Sequence, residues 1–113
     1  MQDRVLPQAV FRPVDDEGQR ITIGAASQRS TALTHWKKFQ IWATKVCWIK
    51  IGGSSVTAVL PSGSPVATGG SFPLAPGAIY EHEPQGSSDD QVAVIEDPNF
   101  TDAGYLFIGR AET

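Results

Sequence analysis

Apolar and polar side chains alternate along several short stretches of the chain, and turn-forming residues separate these stretches. Alternation with a period of two is typical of β-strands that bury one face. It predicts about eight short strands, at residues 20–23, 30–34, 37–43, 46–51, 56–60, 78–82, 91–95 and 105–108. Short strands at such intervals favour an all-β fold, an antiparallel β-sandwich of jelly-roll-like type.

The pattern also predicts which side chains face the core. Only Thr44 and Lys45 separate the runs 37–43 and 46–51, so a tight hairpin is expected there. Trp42 and Trp48 would lie on the face of this hairpin opposite its apolar side chains, which are Phe39, Ile41, Ala43, Cys47, Ile49 and Ile51. The run 91–95 is apolar on both sides, which favours a central strand with both faces covered.

The first 18 residues differ from the rest of the chain. Pro7 and Pro13 interrupt their hydrophobic positions, and proline is confined to edges and turns of sheets. Residues 1–18 therefore form either an extended N-terminal arm that reaches a neighbouring subunit or an edge strand of their own sheet. Residues 19–113 are expected to form one domain, because the loop at 61–71 is too short to separate two cores.

Charge is divided unevenly along the chain. The net charge is −3, but residues 1–60 carry a balance of +4 and residues 61–113 a balance of −7. Opposite halves could let one copy dock on the next, since charge complementarity sets orientation and specificity. Alternatively, the halves interleave in the fold and the charges mix.

Candidate chemistry is sparse. The single cysteine, Cys47, lies in an apolar run and excludes an internal disulfide and any multi-thiolate metal site. His82 stands between two glutamates, but adjacent side chains on a strand point to opposite faces, so a solvated acidic strand end is expected. We predict no catalytic residue, no metal site and no cofactor.

Two further partner classes are also not expected. Lys37 and Lys38 stand near aromatic residues, as in a nucleic-acid platform, but the pI is about 5.2 and no other basic residues cluster. We therefore expect no nucleic-acid binding. No apolar run approaches the roughly 20 residues of a membrane-spanning helix, so no membrane association is expected.

Exposed aromatic and basic side chains remain as candidates for protein contacts. Tryptophan at a partly exposed position is a common anchor of protein interfaces. The alternative for the tryptophans is that their rings fill the core. The candidate interface residues are Val10, Phe11, Trp36, Lys37, Lys38, Trp42, Trp48, Phe72 and Tyr80.

Five segments together carry a family resemblance: Ile23–Ser30, Trp48–Ala58, Phe72–Gly77, Val92–Ile95 and Gly104–Ile108. They form a layout in which a "G-x-S-x-V-T-A" loop precedes a "P-L-x-P-G" turn. In this layout the chain resembles the small virion proteins of tailed bacteriophages, in the decoration, cement, neck and tail accessory class.

The resemblance implies a non-enzymatic homo-oligomer that binds the major capsid protein, or another virion protein, and stabilises the phage head. The protein would be made in the host cytoplasm and reside in the virion. A neck or tail accessory protein is an alternative within the same class. A carbohydrate- or ligand-binding β-sandwich module, with Trp42 and Tyr80 stacking on sugars, is an alternative from another class.

Overall fold

The computed structural model describes residues 12–13, 16–33, 36–86 and 88–112. Within these ranges the chain forms strands and loops but no helix, and so no helix that could cross a membrane. The all-β prediction is confirmed. The strands are β1 (Arg12–Pro13), β2 (Gln19–Thr22), β3 (Gln28–Arg29), β4 (Lys38–Ala43), β5 (Cys47–Gly52), β6 (Phe72–Leu74), β7 (Tyr80–His82), β8 (Gln91–Glu96) and β9 (Tyr105–Glu112).

The strands form two antiparallel sheets. The five-stranded sheet has β9 and β4 at its centre, with β7 beyond β4 and with β1 and β2 following one another along the other side of β9. The four-stranded sheet has the order β3-β8-β5-β6. Arg12 and Pro13 are thus in an edge strand, whereas residues 1–11 lie outside the described part of the chain.

Strand pairing is nested around the loop at residues 53–71. β5 pairs with β6, β4 with β7, β3 with β8 and β2 with β9. Each pair of hydrogen-bonded strands in the described part of the chain joins a strand from residues 12–52 to a strand from residues 72–112. The basic and the acidic halves of the chain therefore interleave strand by strand, and their charges mix.

The predicted hairpin between β4 and β5 is wrong. β4 pairs with β7 and β9, whereas β5 pairs with β6 and β8 in the other sheet. The connection at residues 44–46 therefore carries the chain from one sheet to the other. The inward faces of both strands are as predicted, because Ile41 and Ile49 are both buried in one core cluster.

Two predicted strands are absent from the described residues. Residues 56–60 form no strand, because side-chain hydroxyls bind their backbone: Ala58 N donates to Ser27 Oγ and Val59 N to Ser71 Oγ, each at 2.9 Å. In the predicted strand 30–34, the described residues 30–33 run irregularly beside β8, and Ser30 Oγ accepts the Val92 N–H at 3.0 Å. Strand β3 instead lies just before them, at residues 28–29, outside the predicted strands.

The core lies where the inner faces of both sheets meet. Its fully buried members include Phe39 and Ile41 from β4, Val92 and Val94 from β8, and Leu106 from β9. A second, smaller cluster forms on the other side of β8, where Ala93 contacts Val56 and Ala58. The prediction that residues 91–95 form a central strand covered on both faces is confirmed.

Candidate functional site

The outer face of the five-stranded sheet carries a continuous row of aromatic rings. Trp42 stacks on Phe107 with ring centroids 4.6 Å apart, and the ring centroids of Phe107 and Tyr105 are 6.3 Å apart. The guanidinium carbon of Arg20 lies 4.5 Å from the centre of the Tyr105 ring, a cation–π geometry. We refer to Arg20, Trp42, Tyr105 and Phe107 as the aromatic ladder.

Strand register assembles the ladder from three strands. Phe107 of β9 lies opposite Trp42 of β4 on one side and opposite Arg20 of β2 on the other. Within β9, the side chains of Leu106 and Ile108 point into the core, so those of Tyr105 and Phe107 point outward. Directly opposite side chains on one face of a sheet lie within contact distance, which explains the stacking.

The ladder is accessible and has polar neighbours. Trp42 is 41% exposed and Tyr105 36% exposed. Beside Trp42 on β4, Gln40 Nε2 donates to Glu81 Oε2 at 2.6 Å, and Lys38 Nζ lies 3.9 Å from the other oxygen of the same carboxylate. The result is an apolar patch with a hydrogen-bonding and charged border, the composition found in protein interfaces.

The three tryptophans have different environments. Trp36 is only 9% exposed and belongs to the core cluster, so it presents almost no surface to a partner. Trp48 is half-buried, and its indole N–H donates to Asp97 Oδ2 at 3.0 Å, which anchors the loop after β8. Trp42 is exposed, and of the three it is the one placed to contact a partner.

The remaining predicted interface residues are dispersed. Lys37 is exposed and Lys38 half-buried; Lys38 begins β4, at the end of the strand away from Trp42. Phe72, 55% exposed, and the half-buried Tyr80 lie elsewhere and contact each other with ring centroids 5.7 Å apart. Val10 and Phe11 fall outside the described residues.

His82 is not the solvated strand end that the sequence predicts. It is half-buried, its Nε2 lies 3.0 Å from Asp89 Oδ2, and its ring lies 5.2 Å from that of Phe39. The alternation argument correctly separates His82 from its neighbouring glutamates, but the partner carboxylate comes from the loop before β8. Side chains of β5, β6 and β7 surround this pair and leave a cavity of about 220 Å³, lined by Ile49, Ile51, Phe72, Tyr80, His82 and Asp89.

Asp89 is held in place by its loop. Its carboxylate accepts hydrogen bonds from the backbone N–H groups of Gln85, at 2.8 Å, and Gly86, at 3.1 Å, as well as contacting His82. Burial alone would raise the pKa of Asp89, but the hydrogen bonds from Gln85 and His82 outweigh it and hold the pKa below its ordinary value. Asp89 is therefore a fixed negative charge at neutral pH.

Cys47 is fully buried, and this burial raises the pKa of its thiol to about 11 even though nearby Lys45 opposes the shift. A thiol in this state is protonated at neutral pH and is a poor nucleophile. No group of three or more His, Cys, Asp or Glu side chains within the described ranges could hold a metal ion.

Sequence reasoning missed three members of the ladder and the partner of His82. All four residues of the predicted strand 105–108 are apolar, so the run does not indicate which side faces the core, and neither Tyr105 nor Phe107 is a predicted interface residue. Asp89 gave no signal, because its approach to His82 depends on the path of the loop between β7 and β8.

Comparison with known proteins identifies no relative of this chain: no protein-family model matches it, and neither does any curated protein or solved structure.

Proposed function

We propose that this protein is a non-enzymatic structural protein of a tailed-phage virion, a decoration or cement protein that self-associates and binds the major capsid protein. The observation that carries the proposal is the aromatic ladder. Tryptophan, tyrosine and arginine are the side chains most enriched at the centres of protein interfaces. Here all three lie side by side on one accessible sheet face.

The strand order supports the fold part of the proposal. Nested pairing of β2 with β9, β3 with β8, β4 with β7 and β5 with β6 is the order of a jelly roll, in which a long double strand wraps into two sheets. Jelly rolls are common in viral capsid proteins and in lectins. A fold alone does not define a function, so the proposal rests on the ladder and not on the topology.

Two observations on reactive groups support a binding role. Cys47 is buried and protonated, as described above. The described residues that line the cavity of the His82–Asp89 pair include no serine, threonine, cysteine or lysine that the pair could activate as a nucleophile.

The principal test is the protein content of purified particles. Quantitative mass spectrometry of virions of the encoding phage should find this chain in a number of copies comparable to that of the shell protein. A small ring number would instead indicate a neck or tail protein, and absence from particles would contradict any virion role. Light scattering of the isolated chain measures its self-association.

A second experiment tests the ladder itself. Shells that lack this chain are mixed with purified wild-type protein or with Trp42→Ala, and the bound fraction is measured after sedimentation. The matched control is Phe100→Ala, because Phe100 is 48% exposed but does not belong to the ladder. Trp42→Ala should bind markedly less and Phe100→Ala as well as wild type; equal binding by all three would remove the ladder from the interface.

A carbohydrate-binding module is the second candidate, and a specific observation favours it. Aromatic rings beside hydrogen-bonding side chains bind sugars by stacking and by polar contacts, and Trp42 adjoins the Gln40–Glu81 pair. Gly109 lies opposite Gln40, and a side chain there would meet open space, so the surface beside the rings is unobstructed. Binding on a glycan array that Trp42→Ala abolishes and Phe100→Ala retains would favour this function over the capsid one.

A further inference from the structure

The cavity beside His82 and Asp89 combines aromatic walls with one fixed negative charge. Phe72 and Tyr80 form two walls, with their ring planes inclined at 40° to each other. Ile49 and Ile51 of β5 supply apolar surface, and the cavity volume of about 220 Å³ suits a single small group. None of the aromatic-ladder residues lines this cavity.

The charges around this cavity favour a positively charged ligand. Among the described residues that line it, Asp89 carries the negative charge, none is a lysine or an arginine, and His82 is a further titratable residue, with its Nε2 3.0 Å from Asp89 Oδ2. Glu81 and Glu83 flank His82 in sequence but do not line the cavity, and the Glu81 carboxylate contacts Gln40 and Lys38. An anionic ligand would therefore be repelled, whereas a cation would gain from Asp89 and from the faces of the two rings.

Aromatic faces combined with a carboxylate are the recognition elements for alkylated ammonium groups. Such a cation is weakly hydrated and large, so it gains from ring faces as well as from charge. We propose that this cavity binds an alkylammonium group, against the adjacent rings of Phe72 and Tyr80 and next to Asp89. The group would come from a small organic cation or from a lysine side chain, and this site is independent of the proposed virion role.

The test compares a cation with its uncharged counterpart on the full chain. Choline and 3,3-dimethylbutan-1-ol have nearly the same shape but differ in charge. Titration followed by NMR of the Phe72, Tyr80 and His82 ring resonances should show saturable shifts with choline, with an affinity about tenfold higher than that of the alcohol, the size of a partly desolvated cation–π and charge contribution. Equal affinity for both, or no saturable shift with choline, would overturn the proposal.

Variants check that these shifts arise in the cavity. Phe72→Ala removes an exposed wall and should weaken choline binding by about tenfold. The matched control Phe100→Ala removes an exposed ring outside the cavity and should bind as wild type. Asp89→Asn keeps an oxygen for the Gln85 and Gly86 N–H groups but should lose the preference for the cation. Retained preference in Asp89→Asn would contradict the role of the charge.

A further arm distinguishes the source of the cation. Nα-acetyl-lysine amide, with and without trimethylation of its ammonium group, is titrated in the same way as choline. Binding stronger than that of choline indicates a lysine side chain of a protein as the ligand, and binding weaker than that of choline indicates a free organic cation. Because Asp89 lies outside the aromatic ladder and the predicted interface residues, loss of the cation preference in Asp89→Asn with normal shell binding separates this proposal from the virion function.

Discussion

Lys45 Nζ lies 2.9 Å from Glu96 Oε1 and also donates to the backbone carbonyl of Asp102. Lys45 is only 7% exposed, and it belongs to the connection that carries the chain from one sheet to the other. Glu96 ends β8 in the second sheet. One buried ion pair therefore joins the connection between the two sheets to the end of β8 in the four-stranded sheet.

Removal of this pair is expected to be costly. Lys45→Met should lower the free energy of unfolding by about 2–4 kcal/mol, because it leaves the Glu96 carboxylate largely buried without its partner. Urea unfolding monitored by tryptophan fluorescence measures the change. The control Lys50→Met, at an exposed position, should stay within about 0.5 kcal/mol of wild type. The double variant Lys45→Met/Glu96→Leu should recover part of the loss; no recovery would mean that the pair itself is not the source of the effect.

Gly104 is predicted to be intolerant of any side chain. A Cβ atom there would lie 2.7 Å from Lys45 Cγ and 3.0 Å from Thr44 Oγ1. Since Glu96 and Asp102 hold Lys45 in place, Gly104→Ala should destabilise the protein by about 1–3 kcal/mol, the usual cost of overpacking. Gly109→Ala is the matched control, because a Cβ atom at Gly109 meets nothing within 4 Å. Equal unfolding midpoints for both variants would contradict the packing argument.

Stability should fall at acidic pH in part through Asp97. The N–H of Asn99 and the indole N–H of Trp48 hydrogen-bond its carboxylate and lower its pKa below the ordinary value of 3.8. Because the pKa is lower in the folded state than in the unfolded one, the stabilisation is present above pH 3.8 and is lost as the pH falls through the folded-state pKa.

The variant Asp97→Asn should therefore lose less stability than wild type between about pH 5 and pH 3. Trp48→Phe, which removes one of the donors, should show an intermediate slope. Urea midpoints at several pH values measure the effect. Asp89, whose pKa is also lowered, accounts for part of the remaining slope in both variants. A slope for Asp97→Asn as steep as that of wild type would show that this carboxylate does not contribute.

Cys47 should be chemically inert in the folded protein. It is fully buried, and burial raises the pKa of its thiol to about 11, so both access and the thiolate fraction are low at pH 8. A chromogenic disulfide reagent should react with it only after denaturant is added. Rapid stoichiometric labelling under native conditions would show that the strand opens locally around β5.

The alternation of apolar and polar residues correctly predicts which face of a strand is buried, but it does not predict which strands pair with each other. The inward positions of Phe39, Ile41 and Cys47 follow from the period of two alone, because a strand with one buried face needs an apolar side chain at every second position. Pairing depends on which strands meet in space, and the short Thr44–Lys45 connection wrongly suggested a hairpin. Nothing in the sequence marked Lys45 as a buried residue whose charge is neutralised by Glu96, 51 positions away.

The candidate site shows the same difference: residues within one strand can be predicted from the local sequence, whereas their contacts with distant residues cannot. Alternation predicts Trp42 as an interface residue, because its side chain points away from the apolar side chains of its own strand. Its stacking partner Phe107 lies in β9, and the pairing of β4 with β9 is not encoded locally. Similarly, His82 was correctly separated from its neighbouring glutamates, whereas Asp89 reaches it through a loop whose path no pattern predicts.

Each strand pair in the described part of the chain joins residues 12–52 to residues 72–112, so none of these pairs can form during synthesis until β6 has been made. The β5–β6 pair closes the shortest loop, and β4–β7, β3–β8 and β2–β9 then close progressively longer ones. Folding should thus start at the middle of the chain and proceed towards both ends, at the slow rates typical of non-local topologies. A chain that ends before Phe72 contains β4 and β5 without any of their pairing partners, so the apolar faces of both strands would stay exposed to water.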